Sequence, residues 1–275
     1  MTTGAIRRIG VLGAGGKMGR MIVRAITDTP GVSLTAALEH AGSAHLGADA
    51  GSLAGLPPLG VTIERDLGRV LDEGRADVLI DFTAPEATVA AVGEAAKRGV
   101  GVVIGTTGFS GDERAAIWRA AERAPIVLSA NMSLGVNVLV GLLERAAKAL
   151  GDAYDVEIVE IHHRLKKDSP SGTALMMARA IADALGRDLG AVLRTGREGN
   201  VGARTQKELG VLAVRGGDVV GDHTAYFLGL GERLELTHRA SSRETFARGA
   251  VHAAAWLAGR PAGVYDMQDV LGLRG

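Results

Sequence analysis

The sequence predicts an α/β protein with a Rossmann-type, doubly wound parallel sheet domain and a smaller α+β domain that holds a mixed sheet. Three observations support this prediction. Short apolar runs alternate with helical patterns up to about residue 132, a glycine-rich turn follows the first run, and several strand patterns follow one another in the second half. Strands that alternate with helices favour right-handed crossovers, and therefore a parallel sheet covered on both faces.

The composition fits a folded, electrically balanced protein. Of 275 residues, 47% are hydrophobic, which excludes a largely disordered chain. The 31 basic and 31 acidic side chains cancel, so we expect neither nucleic acid nor a membrane as a partner. No signal-peptide pattern and no apolar run of about 18 to 20 residues occurs, so we expect a cytoplasmic protein. The absence of cysteine excludes disulfides, thiolate metal sites and catalysis through a covalent thiohemiacetal.

The first domain is expected to span residues 1–132. Its predicted strands are residues 9–12, 34–38, 78–80, 100–104 and 126–128, and its predicted helices are residues 18–26, 86–98 and 112–123. Thr83 is expected to cap the second of these helices, with Pro85 in the first turn and Glu86 completing a capping box.

The second domain is expected to span residues 133–242. Its predicted helices are residues 137–150 and 173–185, and its predicted strands are residues 156–162, 211–214, 224–229 and 233–237. The last three strands are expected to be neighbours, with residues 229–232 turning the final pair. The helical tail within residues 243–275 is expected to pack back on the first domain.

A dinucleotide-binding pattern follows the first strand. Gly13, Gly15 and Gly19 form a turn of the G-x-G-x-x-G type, with one extra residue before the last glycine, between a strand and a helix. There they allow a tight turn, approach of a pyrophosphate and close helix packing. Glu39, twenty residues further on, can accept hydrogen bonds from a ribose diol. A carboxylate there disfavours a 2'-phosphate, whereas His40 and nearby cations partly offset it. We therefore expect NADH to serve at least as well as NADPH.

Two further loops follow predicted strands at the edge where such folds bind ligands. These loops, residues 105–108 and 129–132, carry small hydroxyl residues and open backbone that can position a nicotinamide amide.

The densest group of chemically active residues lies between Glu160 and Thr173. Two histidines, one arginine and two lysines occur within six residues, and Pro170 and Ser171 then open a helix. Cations beside a helix amino terminus suit a small substrate with two carboxylates. Metal binding by Glu160 with the histidine pair is the weaker alternative, because adjacent strand residues point to opposite faces, and we expect no metal site.

Three other histidines lack comparable neighbours in the sequence. His223, His238 and His252 are therefore predicted to be structural.

With these motifs, the chain resembles the 4-hydroxy-tetrahydrodipicolinate reductase (dihydrodipicolinate reductase) family of bacterial and plant lysine biosynthesis. The resemblance covers essentially the whole chain. The segments that carry it are Gly13-Ala14-Gly15-Gly16-Lys17-Met18-Gly19, Asp81-Phe82-Thr83, Gly105-Thr106-Thr107-Gly108-Phe109, Ser129-Ala130-Asn131-Met132-Ser133 and residues 160–173.

The resemblance implies NAD(P)H-dependent reduction of a cyclic imine dicarboxylate, in lysine biosynthesis through diaminopimelate, by a homotetramer with a substrate-binding and oligomerisation domain. It implies that His162 and Lys166 are the catalytic acid/base pair. The implied substrate-binding residues are His163, Ser171, Gly172 and Thr173. The implied cofactor-binding residues are Gly13, Ala14, Gly15, Gly16, Lys17, Met18, Glu39, His40, Gly105, Thr106, Thr107, Ser129, Ala130, Asn131 and Met132. The family commonly has arginine where His40 stands and an aromatic residue where Met132 stands.

Two other functions stay open on the residues alone. The first is another two-domain nicotinamide enzyme, such as a homoserine-type dehydrogenase or a different imine reductase; a semialdehyde dehydrogenase is excluded because it needs a cysteine. The second is a nucleotide-binding redox sensor or scaffold without catalysis, against which the intact histidine and lysine cluster argues.

Overall fold

The computed structural model describes residues 6–274 and divides them into two compact units. Unit 1 contains residues 6–134 and 244–274, and unit 2 is Gly135–Arg243. Within the described residues, no helix combines the length and apolar character that a membrane crossing needs.

Unit 1 is built on a parallel sheet of seven strands. Their bounds are β1 Arg7–Leu12, β2 Val32–Leu38, β3 Ile63–Glu64, β4 Val78–Asp81, β5 Gly101–Ile104, β6 Pro125–Leu128 and β12 Gly263–Tyr265. The strand order is β12-β6-β5-β4-β1-β2-β3. The order reverses beside β1, so the ends of β1 and β4 lie at the switch point where doubly wound sheets bind ligands.

Helices cover this sheet. They are α1 Lys17–Thr27, α2 Ala50–Leu53, α3 Leu67–Asp72, α4 Pro85–Lys97, α5 Gly111–Ala121, α9 Glu244–Leu257 and α10 Met267–Val270. The central strands are buried on both faces, as β4 and β5 are along their whole length. The five predicted strands and three predicted helices of this domain are present, with ends that differ by at most two residues.

The chain returns to unit 1 at its C-terminal end, where α9 packs against α1 and strands β4, β5 and β6. Its inner face consists of small residues such as Ala247, Ala250 and Ala254, all fully buried. A Cβ atom built at Gly249 would lie 1.7 Å from the carbonyl oxygen of Met132, so only glycine permits this approach. After α9, strand β12 extends the sheet beyond β6, which the sequence pattern did not predict.

The expected capping box at the start of α4 is wrong. Ala84 occupies the N-cap position and gives no side-chain cap, while Pro85 does stand in the first turn. The Thr83 hydroxyl and amide instead donate to Asp81, at 2.6 and 2.8 Å. The buried carboxylate of Asp81 needs hydrogen-bond donors, so the Thr83 hydroxyl binds it rather than capping α4.

Unit 2 contains a mixed five-stranded sheet and two long helices. Its elements are α6 Leu134–Leu150, β7 Asp155–His162, α7 Gly172–Ala184, α8 Leu189–Val192, β8 Leu193–Arg194, β9 Leu209–Arg215, β10 Gly221–Leu228 and β11 Arg233–Ala240. The strand order is β11-β10-β7-β9-β8. Strands β10 and β11 are neighbours, but the expectation that β9 is beside β10 is wrong, because β7 lies between them and pairs with β9 in parallel.

The alternation of β7 separates the two faces of this sheet. Val156, Ile158, Glu160 and His162 point to the buried face, whose apolar part joins α6 and α7 in one core. The intervening residues, Val159 and Ile161 among them, are half-buried on the other face. A short apolar strand thus carries two chemically active side chains into a helix-covered layer.

Candidate active site

The glycine-rich turn of unit 1 has the geometry that its sequence pattern predicts. Gly13 has a φ of +67°, a backbone conformation that residues with a side chain rarely adopt. A Cβ atom at Gly19 would lie 2.1 Å from the Gly13 carbonyl oxygen, so glycine is required for α1 to pack this closely. The turn leads directly into Lys17, the exposed first residue of α1, whose amino terminus favours an anion.

Glu39 lies beside this turn at the end of β2. Its Oε1 accepts a hydrogen bond of 2.9 Å from the Gly15 amide, which fixes the direction of the carboxylate. His40 is largely exposed, and its Nε2 lies 3.9 Å from Glu39 Oε2. A cavity of about 320 Å³ adjoins both side chains, with Leu38 and Leu67 among its apolar lining and Arg65 at its edge. Apolar walls beside a fixed carboxylate fit an adenosine, with the base in the cavity and the ribose diol on Glu39.

A hydrogen-bonded cluster connects the neighbouring loops at the same edge of the sheet. Asp81, at the end of β4, accepts from Thr83 and lies 3.5 Å from the hydroxyl of Thr106. Burial raises the pKa of Asp81, and the hydrogen bonds from Thr83 oppose that effect. The Thr106 hydroxyl also accepts a hydrogen bond from Thr88 in α4. These contacts hold residues 105–107 in a fixed loop with an exposed Thr107.

The loop after β6 is ordered by its own side chains. The Ser129 hydroxyl donates to the Asn131 carbonyl at 2.9 Å, and the Ser133 amide donates to Asn131 Oδ1 at 2.8 Å. The Ser129 amide donates to the carbonyl of Ile104, so this loop is adjacent to residues 105–107. Ala130 is exposed at the tip of the loop, whereas Met132 is buried in the core beneath it. Cofactor contact by these residues stays a prediction.

In unit 2, His162 ends β7 with its ring almost fully buried. Its Nδ1 lies 2.6 Å from Oε2 of Glu160, two residues earlier on the same face of the strand. Burial lowers the pKa of His162 below its usual value, although the neighbouring carboxylate opposes this effect. The free protein therefore holds a mainly neutral imidazole at neutral pH. Because a carboxylate only accepts, Nδ1 carries the hydrogen and Nε2 is left to gain or lose a proton.

His223 belongs to the same cluster, and the expectation that it lacks comparable neighbours is wrong. It lies on β10 opposite Glu160, its ring centre is 5.1 Å from that of His162, and its Nε2 is 3.1 Å from the Ser171 hydroxyl. Burial lowers the pKa of His223 to about 4, and the next cause is the repulsion that a protonated His162 would exert. Two histidines packed edge to face are thus held neutral side by side.

The charged loop between β7 and α7 carries Lys166, whose ammonium lies 2.9 Å from a carboxylate oxygen of Asp168. Lys166 is near enough for its charge to contribute to the low pKa of His162. His163 is more exposed than His162, and its Nε2 lies 3.3 Å from a guanidinium nitrogen of Arg243. The Lys166 ammonium of the loop and the guanidinium of Arg243 therefore lie near the two adjacent imidazoles.

The amino end of α7 completes this cluster. Ser171 is the N-cap, and its hydroxyl accepts from the Ala174 amide at 3.1 Å. The Ser171 amide donates to Glu160 at 3.0 Å, so the start of the helix is tied to the same carboxylate as His162. Gly172 and Thr173 are the first two helical residues, at the end of a helix that favours an anionic group.

Within residues 6–274, no group of three or more His, Cys, Asp or Glu side chains has an arrangement that could hold a metal ion. Glu160, the carboxylate of the alternative metal-site hypothesis, accepts hydrogen bonds from the Arg215 guanidinium on both of its oxygens.

Comparison with known proteins identifies the family. A model described as "Dihydrodipicolinate reductase, N-terminus" matches residues 7–132, and one described as "Dihydrodipicolinate reductase, C-terminus" matches residues 135–271. The chain belongs to the dihydrodipicolinate reductase family. Members of this family are oxidoreductases, and a Rossmann-type member uses a nicotinamide cofactor.

Relatives and a solved structure agree with the family over nearly the whole chain. The 4-hydroxy-tetrahydrodipicolinate reductase of Syntrophotalea carbinolica is 54% identical over 267 residues, 97% of this chain and 99% of the relative. The protein of the same name from Anaeromyxobacter sp. strain Fw109-5 is 56% identical and covers 96% and 97%. A dipicolinate-bound dihydrodipicolinate reductase from Paenisporosarcina sp. TG-14 has the same fold, with a TM-score of 0.76, 24% identity and coverage of 97% and 99%.

Three residues of the candidate site were not identified from the sequence. Arg215, 55 residues beyond Glu160 in the sequence, forms an ion pair with it. His223 lies on β10, opposite Glu160 on β7. Arg65 follows β3 and lines the same cavity as Glu39. No local pattern marks any of them. Glu160 did carry a usable signal, because the pattern E-x-H on a strand places both side chains on one face.

Proposed function

We propose that this protein is a 4-hydroxy-tetrahydrodipicolinate reductase. It reduces (2S,4S)-4-hydroxy-2,3,4,5-tetrahydrodipicolinate to 2,3,4,5-tetrahydrodipicolinate in lysine biosynthesis. The reaction consumes one hydride and one proton, and the hydroxyl leaves as water. The observation that carries this proposal is the buried His162 at the amino end of α7, in a chain more than half identical to relatives of that name.

The substrate is a rigid dianion, and unit 2 offers separated groups for its two carboxylates. The amino end of α7 at Gly172 and Thr173 suits one carboxylate. His163 and the guanidinium of Arg243 beside it supply hydrogen-bond donors for the other. Ser171 acts indirectly, because its hydroxyl and amide are engaged by Ala174, His223 and Glu160.

His162 and Lys166 are the groups placed to deliver the proton. When bound, a nicotinamide cofactor supplies the hydride. The Lys166 ammonium can stabilise charge that develops on the substrate. His162 starts mainly neutral because burial lowers its pKa, and an adjacent dicarboxylate favours its protonated form. Nε2 is then the nitrogen that gives up the proton.

In unit 1 the proposed cofactor contacts follow the sheet edge. The glycine turn suits the pyrophosphate, Glu39 the adenosine ribose, and the loops at Thr106 and Ser129 the nicotinamide amide. Glu39 directs a charged oxygen at the ribose, which opposes a 2'-phosphate. His40 and Arg65 adjoin the same cavity and offset part of that repulsion. NADH is therefore expected to serve at least as well as NADPH.

The test is NADH oxidation, followed by absorbance, with 4-hydroxy-tetrahydrodipicolinate made freshly by a coupled reaction. His162→Gln and Lys166→Ala are expected to lower turnover by about 10²- to 10⁴-fold, the usual contribution of a general acid or base. His163→Ala is expected mainly to raise KM, since it removes a hydrogen bond to a substrate carboxylate. His252→Gln is the matched control, because His252 is exposed on α9.

Three outcomes of this assay would contradict the proposal. Wild-type turnover in His162→Gln would remove the acid/base role. A strong preference for NADPH in kcat/KM would refute the assignment of Glu39 and His40. No turnover with either cofactor, in protein that still binds them, would favour another imine substrate or a redox sensor.

We further propose that four chains assemble through unit 2. The outer face of the five-stranded sheet carries half-buried apolar side chains, namely Val159, Ile161, Leu212 and Tyr226, with the exposed Val214 beside them. No helix of unit 2 contributes to this face, since α6 and α7 pack on the opposite one. An apolar sheet face of this kind is typical of an interface between identical chains.

A further inference from the structure

Glu160 is a fully buried carboxylate that links three parts of unit 2. It has no exposed surface, and its partners are the ring of His162, the Ser171 amide and the guanidinium of Arg215. Arg215 bonds both oxygens of Glu160, at 2.7 and 2.8 Å. This two-point geometry leaves little rotational freedom to the carboxylate.

The bonds around Glu160 favour its ionised form. Burial alone would raise the pKa of Glu160, but the hydrogen bonds from Arg215 and then from His162 hold it below the usual value. A buried anion of this kind requires its cation, because an uncompensated buried charge is very costly. Glu160 and Arg215 therefore form one unit rather than two independent residues.

Arg215 also reaches the loop that carries Lys166. Its Nη2 donates to the carbonyl oxygen of Asp168 at 2.7 Å, while the Asp168 side chain binds the Lys166 ammonium. The ion pair thus contacts β7, β9, the 163–170 loop and the start of α7. These are the segments that hold the proposed acid/base and substrate-binding groups.

The space beside Nε2, the other ring nitrogen of His162, is kept open by a glycine. A Cβ atom built at Gly221 on β10 would lie 2.9 Å from Nε2 of His162. Glycine at this position therefore prevents a side chain from pressing on the nitrogen that Glu160 leaves available.

We propose that Glu160 and Arg215 are positioning residues for the reduction. Glu160 fixes the hydrogen of His162 on Nδ1, so that Nε2 exchanges the catalytic proton, and Arg215 keeps that carboxylate, the Lys166 loop and the start of α7 in one arrangement. This inference rests on the proposed function, because it assigns the ring orientation of the acid/base histidine used there. Neither residue touches substrate in this scheme.

The variants Glu160→Gln and Arg215→Lys test the proposal in the intact chain. Glu157→Gln is the matched control, because Glu157 also lies on β7 and pairs with two arginines, Arg197 and Arg204, but on the opposite face. We expect Glu160→Gln to lower kcat about 10²-fold with a much smaller change in KM. Its pH profile is expected to shift to lower pH, because the carboxylate that raises the pKa of His162 is gone. Glu157→Gln is expected to keep both parameters.

Arg215→Lys keeps the charge and loses the two-point contact, so it provides a milder variant if Glu160→Gln does not fold. Its kcat is expected to fall about 10-fold, with thermal unfolding close to that of the wild type. Wild-type kcat and pH profile in a folded Glu160→Gln or Arg215→Lys protein would overturn the proposal. Equal losses in Glu160→Gln and Glu157→Gln would also overturn it, since they would indicate a general effect on β7.

A second measurement separates this inference from the proposed function. Nitrogen NMR shifts of the His162 ring, assigned with His162→Gln, report which ring nitrogen carries hydrogen without any turnover. We expect hydrogen on Nδ1 in the wild type and in Glu157→Gln, and a mixture of tautomers in Glu160→Gln. The same tautomer mixture in all three proteins would refute the positioning role, even if the reductase assay succeeds.

Discussion

At the scale of single residues, the prediction that His223 lacks chemically active neighbours was wrong. Its flanking residues contain no comparable cluster, yet its ring contacts His162 and the Ser171 hydroxyl through the pairing of β10 with β7. Such a contact depends on strand register, which a local pattern of residues does not contain. The pattern E-x-H, in contrast, places Glu160 and His162 on one face of a strand, so their contact could have been predicted from the sequence.

The low pKa of His223 predicts acid sensitivity. Its folded value of about 4 lies below the value of about 6.5 in an unfolded chain, so the unfolded state binds more protons between these two pH values. The free energy of unfolding therefore falls as pH drops through this range, by about 3 kcal/mol in total from this group. His162, whose pKa is also lowered, contributes with the same sign.

Calorimetric unfolding of wild type and His223→Gln, from about pH 7 to about pH 5, measures this contribution. The variant is expected to lose part of the pH dependence. His252→Gln, which removes an exposed histidine, is expected to keep all of it. Parallel curves for His223→Gln and the wild type would contradict the assignment.

At the scale of elements, the strand and helix pattern of unit 1 was predictable because each segment carries its own periodicity. Strand β12 and the short helices α2, α3 and α10 were not, since they contain neither an unbroken apolar run like β4 and β5 nor enough positions to show a helical period. The capping error at Thr83 has a similar origin. Its hydroxyl had two possible partners, the amides at the start of α4 and the buried carboxylate of Asp81, and Asp81 lies on a different element from α4.

Two glycine substitutions in unit 1, one at the start of α1 and one in the middle of α4, are expected to change the stability of the protein in opposite directions. Gly19→Ala is expected to destabilise the protein by about 1 to 3 kcal/mol and weaken NADH binding, because its Cβ would collide with the Gly13 carbonyl. Gly93→Ala, in the middle of α4 with open space around it, is expected to stabilise by about 0.5 to 1 kcal/mol. Thermal unfolding and the fluorescence of bound NADH measure both effects. Equal stability of the two variants would contradict the packing argument.

At the scale of the whole molecule, the outer face of the unit 2 sheet predicts self-association. Sedimentation of the wild type is expected to give four times the chain mass of 28.3 kDa. Val159→Glu, at the centre of the half-buried face on β7, is expected to yield smaller species, because it places a charge in an apolar contact. Val201→Glu is the control, since Val201 is exposed in a loop outside the sheet. A monomeric wild type would refute the proposed tetramer.

The sequence by itself determined the fold class, the glycine turn with its acidic partner, and the segment containing His162 and Lys166. These features are local, because periodicity, turn chemistry and spacing act over a few residues. Only the tertiary structure decided that β7 separates β9 from β10, that His223 lies against His162, and that Arg215 neutralises Glu160. Strand order and register follow from which apolar faces pack together across the chain, and a buried ion pair forms only where that packing brings its partners together.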